Sequence, residues 1–192
     1  MAINPGAFDL TIQRRADYST RLIFKNEVEV KTSAVNTVTN IITIADHGYS
    51  NGDGIQYLAG GGVVIGGLVD ETIYYVRDKT DDTFKLEASV GGSVISLTSQ
   101  GNNKQKFKAD TDMTGNLVIS QIWDAARTSK AADFTVTYTT PASGIITLSL
   151  TDTQTATLTA DEYMYDVLVS DGSGLKEYYL EGVIYMSQGY SS

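Results

Sequence analysis

The chain has 192 residues with 23 acidic against 14 basic side chains, a formal charge of −9. That argues against a surface that works by neutralising phosphates, so nucleic acid is not an expected partner. With no cysteine, a disulfide framework, a thiolate metal site and a cysteine nucleophile are excluded. The hydrophobic content of 42% suffices for one large or two small domains without covalent staples. Two prolines, 18 glycines and 12 tyrosines predict many short strands joined by turns, an all-β protein. The opening MAINPGAFDL lacks the basic start and apolar core of a signal peptide, and no run approaches the roughly 20 apolar residues of a membrane span. The expectation is a soluble product made in a cytoplasm, with no membrane partner.

In chain order, residues 8–12 (FDLTI) and 18–24 (YSTRLIF) read as strands, with Arg14 and Arg15 in the turn between them. Those arginines suit either a polar anchor onto an acidic neighbouring subunit or a solvated turn. From Lys31 to Lys108 the chain becomes richer in glycine, and short strands are predicted at 40–45, 55–58, 63–65, 72–76, 83–86, 94–97 and 105–107. Residues 117–123 (LVISQIW) follow, read with Leu117, Ile119 and Trp123 inward and the tryptophan on or beside the core. Strands at 134–138 and 144–150 flank a turn at Pro141. Thr151 and Gln154 have capping-box spacing, which predicts one helical turn through about Leu158.

Residues 158–186 carry the strongest hairpin signal. Tyr163, Tyr165, Val167 and Val169 alternate with Met164, Asp166 and Leu168, and Asp171-Gly172-Ser173-Gly174 supplies the reversal. The return strand is read with Tyr178, Leu180, Gly182, Ile184 and Met186 inward and Gly182 as a bulge. Tyr179, Val183 and Tyr185 then form an outward row, suited either to an interface or to cross-strand pairs that stabilise a two-sided sheet.

TDMTGNLVISQIWD, TPASGIITLSLTDTQTATL and EYMYDVLVSDGSGLKEYYLEGVIYM together resemble the small immunoglobulin-like domain of phage upper baseplate proteins and short tail proteins. The opening FDLTIQRRADYSTRLIFKN resembles that domain's first two strands. In that domain the second strand runs almost directly into the segment that is Thr111–Gly115 here, so the resemblance implies an insertion. The implied organisation is an immunoglobulin-like β-sandwich of residues 1–31 and 108–192, carrying an inserted module of residues 32–107. ITIADHGYSNGDGIQY and the stretch after it are similar to a small β-barrel-like module that recurs in phage tail and bacterial surface proteins.

Candidate chemistry is sparse. His47 is the only histidine, and a turn residue before Gly48 explains it better than a catalytic base. Asp46, Asp53, Asp81 and Asp82 do not fall into the alternating loop that surrounds calcium, and Gly60–Gly62 and Gly66-Gly67 do not lead into a phosphate-binding helix. Glu162 and Asp166 lack a sugar-binding motif around them. The expectation is a protein without catalytic residues, metal or cofactor. The resemblance implies a bacteriophage virion structural protein of the tail, baseplate or fibre-attachment region, assembling with other virion proteins in an oligomer or symmetric array. A capsid decoration or head–tail connector accessory protein is the alternative. A carbohydrate-binding receptor module is another, with Tyr49, Tyr57, Tyr74 and Tyr75 as its available rings.

Overall fold

The computed structural model describes residues 6–188, which are nearly all β-structure. In chain order the strands are β1 (Gly6–Ala7), β2 (Leu10–Gln13), β3 (Tyr18–Ile23), β4 (Lys25–Glu29), β5 (Val35–Asn36), β6 (Ile41–Thr43), β7 (Gly54–Leu58), β8 (Ile73–Arg77), β9 (Thr83–Glu87) and β10 (Lys106–Asp110). They continue as β11 (Leu117–Asp124), β12 (Lys130–Asp133), β13 (Thr135–Thr140), β14 (Ile145–Leu150), helix α1 (Asp152–Thr157), β15 (Glu162–Ser170) and β16 (Lys176–Ser187). Two compact units result among the described residues, one of residues 6–24 with 112–188 and one of residues 25–111.

In the discontinuous unit, β1 and β2 both run parallel to β16 along one edge. The sheet continues as β16, β15, β11 and β12 with antiparallel neighbours. A second, antiparallel sheet has the order β13-β14-β3. Tyr163, Tyr165, Val167 and Val169 of β15 and Ile146, Leu148 and Leu150 of β14 belong to one buried cluster with Ile12, Met113 and Phe134. Two sheets closing on a common core make a sandwich. A one-residue slip of β15 would turn its four inward side chains to solvent, at about 1.5–3 kcal/mol each, so their row sets the register of its neighbours.

That register corrects the expectation for β11. Val118, Ser120 and Ile122 are buried, while Leu117 and Ile119 are exposed and Trp123 is half-buried on their side. The cause is pairing: Val118 stands opposite Val169, Ser120 opposite Val167 and Ile122 opposite Tyr165, and cross-strand partners share a face. Ser120 is tolerated inside because its hydroxyl donates to the Asp166 carbonyl at 2.8 Å.

The expectation for β16 is corrected in the same way. Val167 pairs with Leu180 and Leu168 with Tyr178, which leaves Tyr179 as an extra residue. The bulge is therefore at Tyr179 and not at Gly182, and it turns Tyr179 toward the core and Tyr178 outward. Gly182 has a different duty. A Cβ there would lie 2.1 Å from the Phe8 carbonyl oxygen and 3.0 Å from the Tyr165 ring. At the other end of the hairpin, α1 has the capping box its spacing predicts: Thr151 Oγ1 accepts from the Gln154 amide at 3.2 Å and Gln154 Oε1 from the Thr151 amide at 2.9 Å.

The unit of residues 25–111 is one antiparallel sheet of order β4-β10-β7-β8-β9-β6-β5. Laid flat, seven strands would hold β4 and β5 about 29 Å apart. Yet only residues 30–34 join them, and the span from Glu29 to Val35 reaches at most about 21 Å. The sheet is therefore rolled, with Tyr57, Phe84, Phe107, Ile42, Ile55 and Ile65 fully buried inside it. Gln105, also fully buried, satisfies the polar groups there. Its Oε1 accepts from Tyr57 Oη at 3.1 Å and the Asn102 amide at 3.2 Å, and its Nε2 donates to the Gln100 carbonyl at 3.0 Å. The unit begins at 25 and ends at 111, where the sequence suggested 32 and 107, because β4 pairs with β10 along its whole length.

Candidate interaction face

The structure sends the residues singled out from sequence to quite different places. Arg14 is bound within its own chain: Nε donates to the Leu158 carbonyl at 2.9 Å, and Nη2 reaches the Thr159 and Ala160 carbonyls at 2.7 Å and Asp161 Oδ1 at 3.2 Å. Its planar fork satisfies carbonyls of the segment that follows α1, so Arg14 is neither an intersubunit anchor nor a solvated turn residue but an internal clamp on the α1–β15 turn. Arg15 is exposed, with a left-handed φ of 59° in the β2–β3 turn. Tyr179 does not join an outward row. It packs against the core, its ring 5.2 Å from that of Phe24 in an edge-on contact. Val183 and Tyr185 do face outward, Val183 half-buried and Tyr185 43% exposed.

The four tyrosines considered for sugar contact offer no platform. Tyr49, Tyr57 and Tyr74 are buried in the rolled sheet's core and Tyr75 is half-buried. A rolled sheet needs bulky inward side chains to fill it, and these rings do that. The Tyr74 hydroxyl accepts from the Val69 amide at 2.7 Å, and burial, with Asp53 adding to it, pushes the Tyr49 phenol up to about 12. His47 is 6% exposed and stacks on Tyr49, ring centroids 5.0 Å apart, with Phe84 edge-on at 5.1 Å. Its Nδ1 accepts from the Tyr49 amide at 2.9 Å. An open cleft of about 250 Å³ lies beside it, lined also by Asp46, Ser50, Lys79 and Asp81.

The outward face of the six-stranded sheet is the most organised surface. Ile119 of β11 stands opposite Leu168 of β15, and Leu168 opposite Tyr178 of β16, which makes one apolar row across three strands. Trp123, Met164 and Val183 make a second row in the same way. Between them lies a polar row of Gln121, Asp166 and Glu181. Leu117 at 57% exposed and Tyr178 at 53% extend the apolar surface toward one end, and Tyr185, opposite Glu162, toward the other. Sequence reading missed most of this face because it placed Ile119, Trp123 and Tyr178 inside. The alternation of Met164, Asp166 and Leu168 against the buried tyrosines was the signal that pointed to it.

The polar row is electrostatically unbalanced. Asp166 and Glu181 are direct cross-strand partners of like charge, an unfavourable pairing. Arg127, from the β11–β12 turn, reaches Glu181 at 2.8 Å. Lys130 is held by Asp133 at 2.9 Å. Asp166 has no ion pair among the described residues. Burial pushes its carboxyl pKa up, Arg127 and the Gln121 amide pull it down, and Glu181 pushes it up further.

Among the described residues no group of three or more His, Asp or Glu side chains is placed to hold a metal ion, and no helix is long and apolar enough to cross a membrane. A scan against models of known protein families finds no match, and neither does a search of curated proteins.

Proposed function

We propose that this chain is a non-enzymatic structural protein of a bacteriophage particle, of its tail, baseplate or fibre-attachment region, and that it assembles through the outward face of its six-stranded sheet. The observation that carries the assembly reading is the pair of apolar rows, Ile119–Leu168–Tyr178 and Trp123–Met164–Val183, on a face whose strands need no such side chains to fold. Large apolar side chains ordered in rows on an outward face, with polar residues between them, are what a protein contact uses. Support for the phage reading comes from the sequence resemblance, and the strand arrangement agrees with it. The β13-β14-β3 sheet against β16, β15, β11 and β12, with the first strands parallel to the last, is the order expected of an immunoglobulin-like sandwich. Tyr163 near the start of β15 also has its hydroxyl bonded by the Ala160 amide at 2.9 Å, the tyrosine corner of such domains. His47, with its Nδ1 accepting from the Tyr49 amide and its ring packed on Tyr49 and Phe84, supports a structural role for that residue.

The test is a map and a protein inventory of purified particles. The chain is expected in fixed copy number at the tail, with the β11–β15–β16 face against a neighbour. Its absence from particles, or a head position with that face exposed to solvent, would overturn the reading.

A further inference from the structure

Given an assembly role, the charge on this face says what kind of neighbour it takes. Between its two apolar rows it holds two carboxylates, Asp166 and Glu181, and one cation, Arg127, already spent on Glu181. Any protein seated on both rows covers the row between them, and a covered, unpaired carboxylate is costly unless the partner supplies its counter-charge. A second copy of this chain serves poorly. A twofold contact sets like residues against one another near its axis, bringing Asp166 toward Asp166, and the cations such a copy carries nearby, Arg127 and Lys130, are bound to its own Glu181 and Asp133.

We propose that the partner on this face is a different protein, one that seats apolar side chains on the Ile119–Leu168–Tyr178 and Trp123–Met164–Val183 rows and places one Lys or Arg on Asp166 between them. The inference rests on the assembly reading above and adds the partner's chemistry to it. Asp166 supplies specificity, since an apolar face alone would accept many surfaces and an unmatched carboxylate rejects those without a cation. Arg127 acts as a placeholder, screening the carboxylate pair while the face is wet.

The test supplies the wild-type chain, Asp166→Asn or Asp166→Lys to phage that lack the gene, counts copies per purified particle by quantitative mass spectrometry, and checks the fold of each purified chain by melting. Asp166→Lys, folded, is expected to fall at least about tenfold in copy number, because like charges meet across the contact. Asp166→Asn is expected to fall less and to lose most of the salt dependence of its incorporation. A folded Asp166→Lys chain present at the wild-type level overturns the proposal. So does a zero-length carbodiimide cross-link in the particle that joins Asp166 to a lysine of a second copy. If Asp166→Lys fails to fold, Asp166→Asn decides, and wild-type incorporation across the salt range overturns the proposal. Wild-type chain missing from particles would instead sink the assembly reading itself.

Discussion

At the scale of single residues, Gly182 shows how an absent side chain fixes one edge of the sandwich. The chain passes from β1 to β2 over this position, and the Tyr165 hydroxyl donates to the Phe8 carbonyl at 2.6 Å, which holds the passage close. A methyl group has no room there, so Gly182→Ala is expected to cost about 1–3 kcal/mol by overpacking, read from denaturant unfolding. Gly172→Ala in the hairpin turn is the control, with nothing within 4 Å, and should shift stability by less than about 0.5 kcal/mol. Equal midpoints for the two would mean that the Phe8 passage yields freely. Asp166 has the opposite character, since its charge works against the fold. A carboxyl whose pKa is higher folded than unfolded contributes stability that is present below the unfolded value and is lost as pH rises through the folded one. Asp166→Asn removes that loss, so above this window the variant should unfold at the same or a higher denaturant concentration than wild type. A clear loss of stability at neutral pH would show that the attraction of Arg127 outweighs burial.

At the scale of elements, β16 separates folding from assembly along one strand. Tyr179, turned inward by the bulge and edge-on to Phe24, belongs to the core. Tyr178 and Tyr185 point away from it. Tyr179→Ser is therefore expected to lose about 2–4 kcal/mol, near the lower end of what truncating a large aromatic costs because the ring is only half-buried. Tyr178→Ser and Tyr185→Ser should each stay within about 0.5 kcal/mol of wild type. Comparable losses for Tyr178 and Tyr179 would place the bulge elsewhere. The same strand shows which features could be read in advance. β15 was legible because only one of its faces carries aromatic and branched side chains, and α1 because its capping pair is local. β11 was not, because neither of its faces is clearly polar, so period-two alternation leaves the phase open until a neighbour with one clear face decides it, and β16 was read in phase from Leu180 to Met186 but not across the bulge at Tyr179. Ile119 and Trp123 were hidden by the first of these causes and Tyr178 by the second. Burial of Tyr49, Tyr57 and Tyr74 depends on the rolling of a sheet whose first and second strands lie at opposite ends, a long-range fact that no local pattern carries. Arg14 was misjudged for a similar cause: its carbonyl partners lie at residues 158–160, far away in sequence.

At the scale of the molecule, the insertion has a geometry that lets each unit fold alone. Residues 25–111 enter through β4 and leave through β10, which are antiparallel neighbours with Lys25 opposite Asp110. Paired residues of antiparallel strands lie only about 4.5–5.5 Å apart, so the insertion leaves and rejoins the host at nearly one point. Closing so small a gap takes a few residues and little loop entropy. Deleting 25–111 and joining Phe24 to Asp112 through a short glycine linker is therefore expected to give a folded sandwich with one cooperative melt. The excised 25–111 should fold as well, its terminal strands paired and the Lys25–Asp110 ion pair bridging its ends. A cut at 32 and 107 would behave differently. It would leave β4 on the host with only residues 108–110 of β10, a stub stripped of β7 and of the core it packs on, whose unpaired backbone favours aggregation. Circular dichroism and thermal melting of the three chains decide the matter. A host that unfolds when residues 25–111 are removed, while the 32–107 deletion stays folded and soluble, would mean that β4 belongs to the sandwich and that its pairing with β10 is not what closes the insert.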